Sequence, residues 1–84
     1  MDAPGKHLTT TFDEWRQHMG LTHMGFASYL GRDDTEWGHY RANRRYPTES
    51  FVRAARAKAA QYGGAWLRLI DDAIQQDALA KVAA

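Results

Sequence analysis

An all-α fold, a compact bundle of five short helices, is predicted by three features of this chain of 84 residues. Apolar residues recur three and four positions apart, which is the spacing of one helix face. No stretch alternates apolar and polar residues with period two, so no strand is expected. Thr and Asp stand at the heads of the periodic runs and Gly or Asn at their ends, where helix starts and stops need them. A chain this short supplies one small hydrophobic core, hence one domain.

The elements follow in order. Pro4 and Gly5 interrupt the beginning, so residues 1–10 read as a flexible arm with order starting at the threonine run. Thr11 and Glu14 have capping-box spacing, and Phe12, Trp15 and Met19 then recur at helical intervals, which predicts a first helix from about Phe12 to Met19. Gly20 supplies a left-handed turn, Leu21 re-enters the core, and Thr22 caps a second helix ending at Gly31. Asp33 and Glu36 repeat the cap spacing, opening a third helix from about Asp33 to Ala42. Asn43 tolerates the left-handed conformation, and Pro47 disfavours helix in the residue before it. Thr48 caps the fourth helix, whose stripe is Phe51, Val52, Ala55 and Ala59, and Gly63-Gly64 break the chain. A fifth helix follows from Ala65 to about Leu79. The chain thus divides into the arm, a unit over 11–62, and a C-terminal helical segment over 64–84.

Several function classes are excluded or unsupported. There is no cysteine, which removes a disulfide framework, a thiol nucleophile and any Cys-rich zinc site. His7, His18, His23 and His39 lack compact ligand spacing, so no metal is expected. Asp71 and Asp72 look like a catalytic pair, but neighbours on a helix point about 100° apart, and they read as solvated charges. No Gly-rich phosphate loop follows a strand, and no nucleophile stands at a suggestive spacing from a base; neither a cofactor nor an enzyme is expected. The apolar runs are too short for a bilayer and the beginning lacks a signal-peptide pattern, so a cytoplasmic protein is the expectation.

The formal net charge is only +1, yet the charges are unevenly placed. Between Trp37 and Arg68 stand Arg41, Arg44, Arg45, Arg53, Arg56, Lys58 and Arg68 against Glu49 alone. Such a segment is either a polyanion-facing side or a set of solvated helix faces.

Two helices joined by a turn of three or four residues, the second short and followed by a basic loop, are the recipe for a helix-turn-helix. Ala27 lets the third helix approach the second, and Gly31, four positions on, lets the backbone turn. Trp37 and Tyr40 fall on the inward side of the third helix, which leaves Asp34, Thr35, Gly38, His39 and Ala42 facing out. Asp33 and Glu36 have local work at the helix start, whereas Asp34 has none and falls on the outward side.

The ordered series Leu21-Thr22, Phe26-Ala27, Leu30-Gly31, Trp37, Arg44-Arg45 and Pro47-Thr48 resembles the lambda repressor/Cro-like helix-turn-helix regulators of the xenobiotic-response-element type, over roughly residues 11 to 60. The chain departs from that pattern in three places. Trp37 replaces a branched aliphatic, Arg32 sits where an apolar residue is frequent, and Arg41-Ala42-Asn43 replaces Glu-x-Gly. The resemblance implies a transcriptional regulator, a phage- or plasmid-type repressor binding double-stranded DNA at palindromic operators as a homodimer. It places base reading at Asp34, Thr35, Gly38 and His39, and phosphate contacts at Thr22, His23, Arg41, Asn43, Arg44 and Arg45. A Thr methyl against thymine and a His donor to guanine suit major-groove chemistry, and arginines suit phosphate.

The fifth helix carries a wide apolar face, Trp66, Leu69, Ile70, Ala73, Ile74 and Leu79. Part of it completes the core; Trp66, Leu69, Ile70, Ala73 and Ile74 form the expected dimer interface. The alternative is an antitoxin-like or other protein-interaction module, whose C-terminal helix and acidic segment 71 to 77 would meet a toxin or another partner protein.

Overall fold

Short polar side chains set where three of the helices begin. In a computed structural model that describes residues 6–83, the Thr22 hydroxyl accepts from Gly25 N–H at 3.0 Å, Asp33 from Thr35 N–H at 3.0 Å, and Thr48 from Phe51 N–H at 3.3 Å. Each satisfies one of the N–H groups that a helix start leaves without a partner. The described residues form five helices and no strand: α1 Lys6–Met19, α2 His23–Tyr29, α3 Asp34–Arg41, α4 Glu49–Tyr62 and α5 Ala65–Ala83.

The ends are as regular as the starts. At Gly20, Gly31 and Asn43 the chain takes a positive φ, of 72°, 69° and 58°. In each case the next residue's N–H reaches back across the turn, Leu21 to Arg16, Arg32 to Ala27 and Arg44 to His39. This paired closure consumes carbonyls that would otherwise be orphaned. The α2–α3 connection is therefore only four residues, 30–33, with buried Ala27 and Leu30 behind it.

The core is aromatic. Phe51 of α4 lies in the middle, with its ring centroid 5.6 Å from Phe12, 6.0 Å from Trp37 and 4.9 Å from Tyr40. Phe26 closes the other side, 5.0 Å from Trp37 and 5.7 Å from Trp15. Trp37 and Phe51 stack nearly parallel and most of the rest meet edge to face, both favourable arrangements for ring quadrupoles. One short chain thus ties α1, α2, α3 and α4 to a single ring cluster, and Ile70 and Ala73 of α5 close it.

Four expectations are corrected. Helix α1 begins at Lys6, so residues 6–10 are helical and not part of an arm; residues 1–5 of that expected arm lie outside the described residues. Thr11 is accordingly inside a helix and caps nothing. Leu8, buried, explains the earlier start, since Leu8, Phe12 and Trp15 make one stripe. The cap comes from far along the chain: Asp77 of α5 accepts from His7 N–H at 3.1 Å and Leu8 N–H at 3.0 Å. Asp77 is therefore buried, 4 % exposed, and not part of an acidic docking surface. Finally, Ile70 and Ala73, expected at a dimer interface, are buried within the chain itself, at 0 % and 3 % exposure.

Asp77→Ala should lower unfolding stability in urea by about 2–3 kcal/mol, since it removes a helix cap and strands buried N–H groups. Amide exchange at His7 and Leu8 should rise with it. Thr11→Ala, at the position with local capping-box spacing, should change stability by only about 0.5 kcal/mol.

Candidate nucleic-acid interface

Helix α3 turns Trp37 and Tyr40 into the core and leaves Thr35 and Ala42 exposed, with Asp34, Gly38 and His39 half-buried beside them. The outward side expected from periodicity is therefore present as one continuous strip. The loop after α3 is shaped by the left-handed Asn43, whose turn throws Arg44 and Arg45 outward, both exposed.

The charges near this strip divide into those already used and those left over. Glu36 accepts from Arg32 Nε and Nη2 at 3.0 and 2.8 Å, and from the Tyr40 hydroxyl at 2.7 Å. The Arg32 bond is the main reason its carboxyl titrates below the usual range. Arg32 also lies with its guanidinium 5.9 Å from the Phe51 ring centre, so its stem and charge cover the core edge. Elsewhere Arg16 binds Asp13, Arg53 binds Glu49, Arg56 binds Asp71, and the Lys58 ammonium sits over Tyr29. Among the described residues, the side chains of Arg41, Arg44, Arg45 and Arg68 form no hydrogen bond or ion pair. Uncompensated positive charge is thus concentrated just after the exposed strip of α3.

Within that group Arg41 stands apart. Its Nη2 would lie 3.7 Å from a Cβ placed on Gly38, so the guanidinium rests back along α3 in space that Gly38 leaves open. There it lines a shallow groove with Thr9, Thr10, Asp13, Glu14 and Gln17 of α1 and with His23. By sequence position Arg41 belongs with Arg44 and Arg45; the structure places it toward acidic α1 instead.

Asp34 has one carboxylate oxygen buried without a hydrogen-bond partner, so part of the side chain is turned aside from the outer strip. Asp33 is occupied as the α3 cap, taking Thr35 N–H rather than that of Glu36. Thr22 is likewise occupied as the α2 cap. His23 accepts at Nδ1 from the Trp37 indole N–H at 3.2 Å, with Asp13 Oδ1 3.9 Å away. Desolvation first, then the Arg41 and Arg16 charges, hold the imidazole below its usual pKa. A neutral ring is what the indole bond needs, so that bond outweighs the longer approach to Asp13.

Of the five residues expected at a dimer interface, Trp66 and Ile74 are half-buried against the core and Leu69 is exposed. Leu79 and Val82 further along α5 are exposed as well. No helix is long and apolar enough to cross a membrane, and no cluster of three or more His, Asp or Glu able to hold a metal occurs among the described residues.

Tyr46 is a neighbour of the basic loop that the sequence pattern does not mark. Its hydroxyl donates to Asp77 Oδ2 at 3.3 Å, tying the end of the basic loop to α5. No periodicity or short motif signals a pair 31 positions apart. Comparison of the chain with protein-family models, with curated proteins and with solved structures finds no match.

Burial, followed by the Asp77 charge and hydrogen bond, pushes the Tyr46 hydroxyl up to about 12. The phenol is neutral in the folded chain while an unfolded one ionises near 10, so its stabilising effect is complete below about pH 10 and is lost as pH rises toward about 12. In a phenolate absorbance titration, Tyr46→Phe should remove a late-ionising component from the wild-type curve. A phenol ionising with its ordinary pKa would contradict the Tyr46–Asp77 hydrogen bond described here.

Proposed function

We propose that this chain is a sequence-specific double-stranded DNA-binding transcriptional regulator, acting as a repressor, in which α2 and α3 form a helix-turn-helix and α3 enters the major groove. The observation that carries the reading is the separation of used and unused charge. The unpaired arginines Arg44 and Arg45 stand directly after the exposed strip of α3, whereas the acidic residues at the start of α3 are occupied locally or partly turned in. Arginines without protein partners can neutralise phosphates and release counterions, which supplies affinity and orientation. Thr35 and His39 on the strip are the base readers, Gly38 brings the α3 backbone close, and Asp34 selects through its remaining oxygen. Asn43, Thr22 and His23 complete the backbone contacts. The four-residue connection with left-handed Gly31 and buried Ala27 supports the motif assignment.

A homodimer on a palindrome belongs to the same proposal, with the outer side of α5 around Leu69 as the contact; a two-fold pair would set recognition helices about 34 Å apart. The runner-up reading is an interaction module, antitoxin-like, whose α5 docks on a partner protein through the exposed Leu79 and Val82. A stoichiometric protein partner retained under conditions where duplex DNA is not would favour it.

Replacing Arg44 and Arg45 by Ala should weaken duplex binding and reduce the magnitude of the log-affinity against log-salt slope by about 2, near 0.9 for each phosphate no longer neutralised. Arg41→Ala should reduce it by less, given its position toward α1. His39→Ala should instead weaken an enriched palindromic site by about 1–3 kcal/mol more than random duplex. Unchanged slopes and equal losses would remove these assignments. By light scattering, Leu69→Glu should convert a dimer into a folded monomer, while Ile70→Glu should unfold the chain because Ile70 is core.

A further inference from the structure

The geometry points to Trp37 as a positioning residue for His23: its indole N–H, committed to His23 Nδ1, fixes the imidazole in the tautomer that carries its proton on Nε2, making the outer nitrogen a donor to a phosphate oxygen. The ligand in this proposal rests on the DNA-binding reading above, and the lock rests on the local geometry alone.

A neutral imidazole has one donor and one acceptor nitrogen, and the partner of either nitrogen decides which is which. An indole N–H is a donor only, so at 3.2 Å it requires an unprotonated Nδ1. The proton must then sit on Nε2. Nε2 has no protein partner and is not among the buried unpartnered atoms, and the His23 side chain is 40 % exposed, so this nitrogen reaches solvent.

The surroundings agree. Asp13 and Arg16 face the ring from α1, and Asp34 and Arg41 from α3. Asp13 and Asp34 favour an added proton, Arg16 and Arg41 oppose it, and the partial burial opposes it too. Trp37 itself is fully buried, yet its N–H emerges at the edge of the core beneath His23. A branched aliphatic at position 37 fills a core but offers no donor. Trp fills the site and also reaches the ring on α2. The core residue at position 37 and the histidine at position 23 thus act as one device.

The test uses the full chain. Long-range proton–nitrogen NMR spectra of histidine-labelled protein at about pH 8, well above the ordinary histidine pKa, should show His23 protonated on Nε2 only. A His23 protonated on Nδ1, or on both nitrogens, overturns the proposal whether or not DNA binds. Duplex binding supplies the second arm. Trp37→Phe should weaken binding about fivefold at about pH 8 and less than about twofold at a pH low enough for the same NMR spectra to show the His23 ring protonated, since that ring donates from both nitrogens without help. A loss that stays constant or grows on acidification marks a packing role and overturns the lock. In a His23→Gln background, whose amide supplies a donor near the Nε2 position independently of the indole, Trp37→Phe should leave affinity unchanged; an undiminished loss there again overturns it. If Trp37→Phe does not fold, the wild-type tautomer decides. A wild type that binds no duplex at all would sink the DNA reading and with it the phosphate as ligand, while the tautomer measurement still decides the lock.

Discussion

The buried carboxylate of Asp77 is the constraint on which the two ends of this fold depend. Burying a carboxylate is costly unless donors surround it, and here the donors are two N–H groups from the first turn of α1 and the Tyr46 hydroxyl. Each side solves the other's problem. The start of α1 has no local cap in the described residues and would leave N–H groups unsatisfied beside buried Leu8; Asp77 without α1 would be a carboxylate lacking partners in an apolar setting. The pairing also reaches the basic loop, because Tyr46 lies one residue beyond Arg45. Helix α5 is therefore joined to the opposite end of the chain and to the segment that carries the unpaired arginines.

A second arrangement keeps those arginines unpaired. The middle of the chain holds Asp33, Asp34 and Glu36 within a few residues of Arg41, Arg44 and Arg45, and a loose arrangement would let them neutralise one another. Instead Asp33 is spent on a backbone N–H, and Glu36 is clamped by Arg32 and Tyr40. Although the Arg45 charge adds to the field at Glu36, no ion pair forms between them. The Schellman turn at Asn43 carries the chain away from α3 before the arginines begin. Exposed ion pairs contribute little to stability, so the pairs on α4 count more for which cations they withdraw from the surface field than for the energy they add.

Local interactions explain which parts of this structure were legible in the sequence. Caps at Thr22, Asp33 and Thr48 and the left-handed Asn43 act over two to five residues, so their spacing is visible in the string. The outward strip of α3 follows from a 3.6-residue period, and so was legible too. The start of α1 was not, because its cap lies about 70 positions away and the Thr-rich stretch preceding Phe12 has weak helix propensity. The direction of Arg41 was not legible for a related reason: it lies along α3 past Gly38 and beside residues of α1 that are far away in sequence. The reach of Trp37 to His23 combines a core position with a surface one, and periodicity assigns a residue to only one of these.

Helix α5 shows how the two uses of one apolar face limit each other. Ile70 and Ala73 complete the ring cluster of the other four helices, so they cannot also serve a second chain while the fold persists. The apolar surface left is displaced around the helix to Leu69 and along it to Leu79 and Val82. Asp77 fixes the rotation of α5 about its own axis by holding one side against α1, which keeps Leu69 turned outward rather than free to exchange places with Ile70. Any association through this helix is therefore conditional on a finished monomer core, and a partner meets a surface already oriented by the same carboxylate that begins α1.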